Sequence, residues 1–479
     1  MMFDVLKGAV DRALSLGATF ADARAKSITT EHISVENDRV DVSTENSLGW
    51  NIRVIVDGAW GFASTYDFSK IDETVRRAVA LAQYASKNMK YRVKLAPVPV
   101  VKGEWVSAYE KDPFEVPLAE KLDILKEATA RMEGFGLVRR YGSMSFRKEE
   151  TWFVSSEGAR IYQKFIESGA GISAMAVDPT SGDVQTRSYP NSFGGQYMKK
   201  GWELIKELRL VSHAKDIAAE AKALLSAPEL PEGRADVIID PYQMALQVHE
   251  TCGHPTELDR VLGEEASFAG TSFLTPDKLG KFRYGSPAVS IVADPTVPHA
   301  LGGFGYDDEG VPAHRTYLVR DGIFVGYLSS RETAAMLGLQ SSGGAMRAEG
   351  WWNIPIVRMT SVNLLPGNGS LDDLLSALGD GYLLSTTRNW SIADDRSNFH
   401  FGVEVAYEVK NGKLTGNIFK KASYGGKTVE FWNSAEAFTG EEDYVVVGVP
   451  NCGKGEPMQT MRVSHGAPYG LFRGVKVGG

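Results

Sequence analysis

The chain has 479 residues, of which 43% are hydrophobic and 23% charged, with a formal net charge of −8. These are the proportions of a globular protein large enough for two or three domains and a sizeable core. No long basic run is present, which argues against nucleic acid as a partner, and no apolar run approaches the ~18 residues of a membrane span.

The first expected element is a helix over residues 3–16, with Phe3, Leu6, Val10 and Leu14 on one side. Asp4, Lys7, Asp11 and Arg12 break any apolar stretch there, so no secretory signal is read. With only two cysteines, Cys252 and Cys452, a cytoplasmic location is expected. Alternating stretches over residues 20–64 predict strands, including a hairpin turned at Asp57-Gly58. A helix over about 69–87 completes an N-terminal α/β domain, 1–95. The segment Leu95-Ala96-Pro97-Val98-Pro99-Val100-Val101 reads as a linker or edge. A middle domain, 108–226, is expected to have helices over 118–134 and 202–226 with strands between. The two prolines of Ala227-Pro228-Glu229-Leu230-Pro231-Glu232-Gly233 mark the clearest boundary.

The remaining segment, 234–479, carries hairpin signals at Asp321-Gly322 and Asn411-Gly412. Val403, Val405, Tyr407 and Val409 alternate with Glu404, Glu408 and Lys410, a two-faced strand. The fold class expected is α+β: N-terminal α/β units, then a strand-rich C-terminal domain carrying a metal-binding helix.

That helix is the most informative part of the chain. Val237, Ile238 and Ile239 read as a strand, Asp240 as an N-cap and Pro241 as a first-turn residue. Met244, Val248 and Cys252 then form an apolar stripe, and His249-Glu250-Thr251-Cys252-Gly253-His254 follows the same turns. Two imidazoles flanking a carboxylate are the material of a metal site with its own general base. Chance supplies such a pattern about 0.02 times in a chain of this composition. The spacing is one residue longer than His-Glu-x-x-His, so on a regular helix the imidazoles stand roughly 140° apart. Two devices absorb the misfit: His254 ending the helix, pushed out of the α region by Pro255, or a π-bulge within the turn.

A catalytic zinc takes three protein ligands. Cys452, in a Gly- and Pro-rich loop, is the better candidate for the third, and Cys252, expected in the core, is the alternative. Glu250 is the candidate base, against an ordinary helix residue or a support for an imidazole ring. His465 is weighed as an oxyanion donor, His299 as a surface loop residue and His400 as a core residue. The run Asp307-Asp308-Glu309 reads as a solvated acidic turn before a hard-cation site. Gly169-Ala170-Gly171 is followed by no clear helix, and Gly426-Lys427-Thr428 lacks the first P-loop glycine because residue 421 is Lys421.

Residues 249–260, together with Phe304-Gly305-Tyr306-Asp307-Asp308-Glu309-Gly310-Val311-Pro312, Asn451-Cys452-Gly453-Lys454-Gly455 and the stretch 52–63, resemble the TldD/PmbA family, within it the TldD branch. The resemblance covers nearly the whole chain, with the motifs in the family's order. It departs after the cysteine, at Glu456-Pro457. It implies a zinc metalloprotease with His249, His254 and Cys452 as ligands and Glu250 as base. It further implies hydrolysis of unfolded peptides or small proteins by Glu-assisted attack of zinc-bound water, in a homodimer or a heterodimer with a PmbA/TldE-type paralogue. The competing readings are a catalytically silent peptide-binding or assembly subunit with a structural metal, and a small-molecule amidase.

Overall fold

The computed structural model describes residues 2–268 and 270–478 of an α+β protein. The first helix, Met2–Ser15, buries Leu6, Ala9, Val10 and Ala13. The strands Phe20–Glu36, Arg39–Val56 and Ala59–Thr65 then form an antiparallel meander. Its second turn holds Asp57 at φ 51° and Gly58 at φ 76°. This paired left-handed geometry matches the right-handed strand twist, and Asp321-Gly322 and Asn411-Gly412 repeat it.

The two N-terminal segments build one sheet. Phe20–Glu36 pairs along its other edge with Arg139–Ser155, which pairs in turn with Arg160–Val177. The resulting eight-stranded sheet ends in Lys102–Val106, parallel to Arg160–Val177. A strand of 17 residues is about 58 Å long at ~3.4 Å per residue. That is more than one pair of helices can cover, so two cores form on one face. Met2–Ser15 and Ile71–Ala85 cover Ala21, Ala23 and Ala25 at one end. Leu118–Arg131 and Leu210–Ser226 cover Ile33 and Val35 at the other. The helix expected over 202–226 is two, because Arg209 adopts φ 47° and breaks it into Glu203–Leu208 and Leu210–Ser226.

The even-numbered residues Asp22, Arg24 and Lys26 point to the opposite face of the sheet and are also buried, because the C-terminal segment covers them. Arg24 meets Asp308 at 3.1 Å, Lys26 meets Asp308 at 3.7 Å, and Arg53 lies 3.6 Å from Glu309. The run Asp307-Asp308-Glu309 is therefore not a solvated turn. It is a buried ionic seam, and Asp307 accepts the backbone N–H groups of Glu309, Val311 and Met346.

In the C-terminal segment, Gly381–Ile392, Gly233–Ile239, Gly470–Gly478, Ser423–Lys427 and Asn398–Lys410 pair in that order. The added pairing of Gly381–Ile392 with Asn398–Lys410 closes them into a ring. The helix Pro241–Val248 spans this ring: Gln243 donates to the Tyr424 hydroxyl and accepts from Thr387, which lie on non-adjacent strands. Glu404, on the charged face of its strand, is buried too, bound by Arg187 and Ser188 of the middle segment. His400 is exposed rather than in the core, and His299 is half-buried.

Candidate metal centre

Asp240 caps the site helix by accepting the N–H of Gln243 at 2.7 Å, with Pro241 at its first position. The helix then changes pitch. Residues His249–Gly253 form one π-helical turn, closed by the N–H of His254 on the carbonyl of His249. His254 keeps helical angles, φ −59° and ψ −44°, despite Pro255. Of the two devices the sequence allows, the π-turn is the one used, and Pro255 instead sits in a following 3₁₀ turn, His254–Thr256. The extra residue in the turn brings the two imidazoles onto one side, with ring centroids 4.8 Å apart. Gly253, within this turn, lets Met359 pack against it, since a Cβ there would collide with the Met359 side chain.

Cys452 reaches the same point from the hairpin Val445–Lys454 and Gln459–Ala467. Its Sγ lies 3.4 Å from Nε2 of His249 and 3.7 Å from Nε2 of His254. The three donor atoms lie within 4.8 Å of one another, and these are the residues among those described that are grouped to hold a metal ion. Cys252, by contrast, belongs to the core with Met244 and Val248, where burial pushes its thiol up.

Hydrogen-bond partners fix the tautomers. Nδ1 of His465 faces the carbonyl of Val362 at 2.9 Å and must donate to it. Neutral His465 then has only an acceptor at Nε2, which lies 2.8 Å from Nδ1 of His249. His249 therefore carries its proton on Nδ1 and turns a bare Nε2 toward Cys452. Nδ1 of His254 donates to Glu257 at 2.9 Å, with the same result. Burial lowers the pKa of all three imidazoles, which keeps them neutral. His465 is thus wholly buried behind His249 and does not reach a substrate oxyanion.

The supporting charges run deeper. Lys454 donates to Asp259 at 2.7 and 2.8 Å and lies 3.4 Å from Glu257. Burial would raise the Glu257 carboxyl, but Lys454 and His254 outweigh it and hold the group well below the usual carboxylate range. Burial would likewise raise the Cys452 thiol, and the Arg358 guanidinium acts against burial to bring it below its ordinary value. Arg358 also donates to the Cys452 carbonyl. Two neutral Nε2 acceptors and a thiol biased toward thiolate make a donor set suited to zinc.

Glu250 lines the neighbouring cavity of about 360 Å³ with His249, His254 and Cys452, and apolar walls come from Phe193, Leu246, Trp390 and Ile392. Its carboxylate is paired with Arg396 at 2.5 Å. Arg396 stands in the turn between Gly381–Ile392 and Asn398–Lys410 at φ 67°. Glu257 is a support that sequence reasoning missed; the signal that could have marked it is its position three residues after His254. Nothing in the sequence marks Arg396, which is 146 residues from Glu250.

Comparison with known proteins agrees along the chain. Residues 232–479 match the PmbA/TldA metallopeptidase C-terminal domain, 21–82 match domain 1 and 111–225 the central domain. A metalloprotease of Methanothermobacter thermautotrophicus is 29% identical over 462 residues, 96% of this chain and 95% of that protein. A zinc metalloprotease TldD homolog of Saccharolobus solfataricus is 25% identical over 98% of this chain and 99% of its own length. TldE from Thermococcus kodakarensis has the same fold, with a TM-score of 0.76 at 18% identity, covering 99% of this chain and 100% of that one. The matched segments span nearly the whole sequence in the family's order, and the chain belongs to the PmbA/TldD metallopeptidase family.

Proposed function

We propose that this protein is a zinc-dependent peptidase of unfolded peptides or small proteins, with His249, His254 and Cys452 as ligands and Glu250 as the general base. The observation that carries the reading is the convergence of those three donor atoms at the wall of a cavity that Glu250 also lines. When bound, zinc supplies Lewis acidity toward a peptide carbonyl and acidifies water. Glu250 takes the proton of the attacking water and passes it to the leaving amine. His465 and Glu257 hold the imidazoles in register for that role. The apolar walls of Trp390, Ile392 and Phe193 exclude water and receive a substrate side chain. A partner subunit, a second copy or a TldE-type paralogue, encloses the site.

One observation favours a catalytically silent peptide-binding subunit instead: Glu250 is already neutralised by Arg396. In the peptidase reading, bound substrate displaces Arg396 from Glu250. Zinc content and turnover of an unfolded peptide, measured for wild type, Glu250→Ala and Cys452→Ala with and without a paralogous partner, separate the two. The peptidase retains zinc but loses turnover in Glu250→Ala, and loses zinc in Cys452→Ala. A wild type that binds zinc but is inactive even with its partner refutes it.

A further inference from the structure

A second cavity borders the hairpin that carries Cys452. Met461, the partner of Cys452 across that hairpin, and Arg462 form one wall, while Lys26, Arg147 and Glu149 of the N-terminal sheet form another. The chamber measures about 50 Å³, room for a group of carboxylate size. Lys199 and Phe304 line it and also the adjoining groove of about 450 Å³, whose walls include Trp105, Val297 and Pro298.

Most charges in the chamber are paired. Glu149 holds Lys26 at 3.0 Å and Arg147 at 2.5 Å, and Glu167 holds Arg462 at 2.6 Å. Lys199 and Arg347 are different: among the described residues, neither has a carboxylate within ion-pair distance. The Lys199 ammonium donates to the carbonyl of Gly303 and lies 3.9 Å from the ring centre of Phe165. Arg347 donates to the carbonyls of Met359 and Arg462 at 2.8 and 2.7 Å, with its guanidinium over Phe304. Both are buried. A buried cation satisfied only by carbonyls and rings is destabilised. Burial, with Arg347 adding to it, pulls the Lys199 ammonium down to about 7, and burial with Arg358 brings Arg347 to about 10.

We propose that this cavity is a receptor for the free α-carboxylate of a peptide chain end, gripped by Lys199 and Arg347, with the preceding apolar side chains in the groove beside Trp105, Val297 and Phe304. Two features select a monoanion of this kind. The carboxylates of the same lining, Glu149, Glu167, Asp307, Asp308 and Glu349, offset its cations Lys26, Arg147, Lys199, Arg347 and Arg462, so a single negative charge meets less repulsion there than a dianion such as phosphate. The groove is bordered by Trp105 and Val106 of Lys102–Val106, the last strand of its sheet, whose outer edge pairs with no strand among the described residues and can hydrogen-bond an extended chain. This anchoring goes beyond the peptidase reading and operates whether or not the metal centre cleaves.

The test uses full-length zinc-loaded Glu250→Ala protein and the peptide Ala-Leu-Leu-Phe, fluorescein-labelled at its amino end, as free acid and as carboxamide. By anisotropy the acid binds at least tenfold more tightly than the amide. Lys199→Met and Arg347→Met each weaken the acid at least tenfold and leave the amide unchanged, while Lys199→Arg keeps most of the preference. An arm independent of how these variants fold acylates Lys199 in the Glu250→Ala protein, read by mass spectrometry. The acid slows that reaction at least fivefold and the amide does not. Equal affinity for acid and amide, acylation indifferent to the acid, or displacement by inorganic phosphate more readily than by acetate overturns the proposal.

Discussion

Removal of Lys454 tests whether the charges beneath the metal centre are a structural necessity. The side chain has no solvent exposure. Its ammonium bonds both oxygens of Asp259, at 2.7 and 2.8 Å, and the Val357 carbonyl at 2.6 Å, and lies 3.4 Å from Glu257. Lys454→Met retains much of the apolar stem and leaves two buried carboxylates without that cation. Breaking a buried pair from one side costs about 3–5 kcal/mol, a large part of a total stability of about 5–15 kcal/mol. The sign with pH follows from Glu257. Because Lys454 helps hold its folded pKa well below the unfolded value, the stabilisation is present above the unfolded pKa and is lost as pH falls through the folded one. The difference between wild type and variant is therefore widest near neutrality and narrows in acid. Urea unfolding at pH 7, with zinc-free and zinc-loaded protein followed separately, measures it. The double variant Lys454→Met/Asp259→Asn removes the stranded charge and recovers at least half of the loss. A loss under about 1 kcal/mol, or a double variant no more stable than the single one, refutes the reasoning.

Three further outcomes follow from the same geometry. His465→Phe removes the acceptor that holds Nδ1–H of His249 and weakens zinc binding about 10–100-fold, measured by chelator competition. Gly253→Ala drives a methyl group into Met359 and destabilises the protein by about 1–3 kcal/mol, while Met359→Ala in the same chain restores room and recovers most of the loss in a denaturation midpoint assay. Arg396→Met frees Glu250 of its 2.5 Å pair, the state that bound substrate otherwise has to create, so KM for an unfolded peptide falls at unchanged zinc content; a kcat loss of about tenfold or more would show instead that Arg396 stays on Glu250 and positions it.

Much of the fold was legible because its signals are local. Asp57-Gly58, Asp321-Gly322 and Asn411-Gly412 form the expected turns since each needs consecutive residues that tolerate positive φ. Asp240 and Pro241 start the site helix because a cap needs only the next three residues. The helical break at Arg209 was not legible, for a left-handed arginine carries no propensity signal. Long-range pairing was also invisible. Nothing local says that Phe20–Glu36 extends its sheet into Arg139–Ser155, or that Asp307-Asp308-Glu309 faces Arg24, Lys26 and Arg53 rather than water.

The candidate site divides the same way. Sequence by itself determined that two histidines and a carboxylate share one turn, and that the odd spacing requires either a helix end or a π-turn. Tertiary structure decided between them, because the π-turn brings both rings to Cys452, which arrives from a distant hairpin. It also decided what supports the rings: His465 reaches His249 from 216 residues away, and Lys454, beside the Glu257 that accepts from His254, joins Asp259 across 195. Such partners are set by where strands meet in space, and the energy that orders them comes from excluding water, a property of the assembled core rather than of any local stretch of chain.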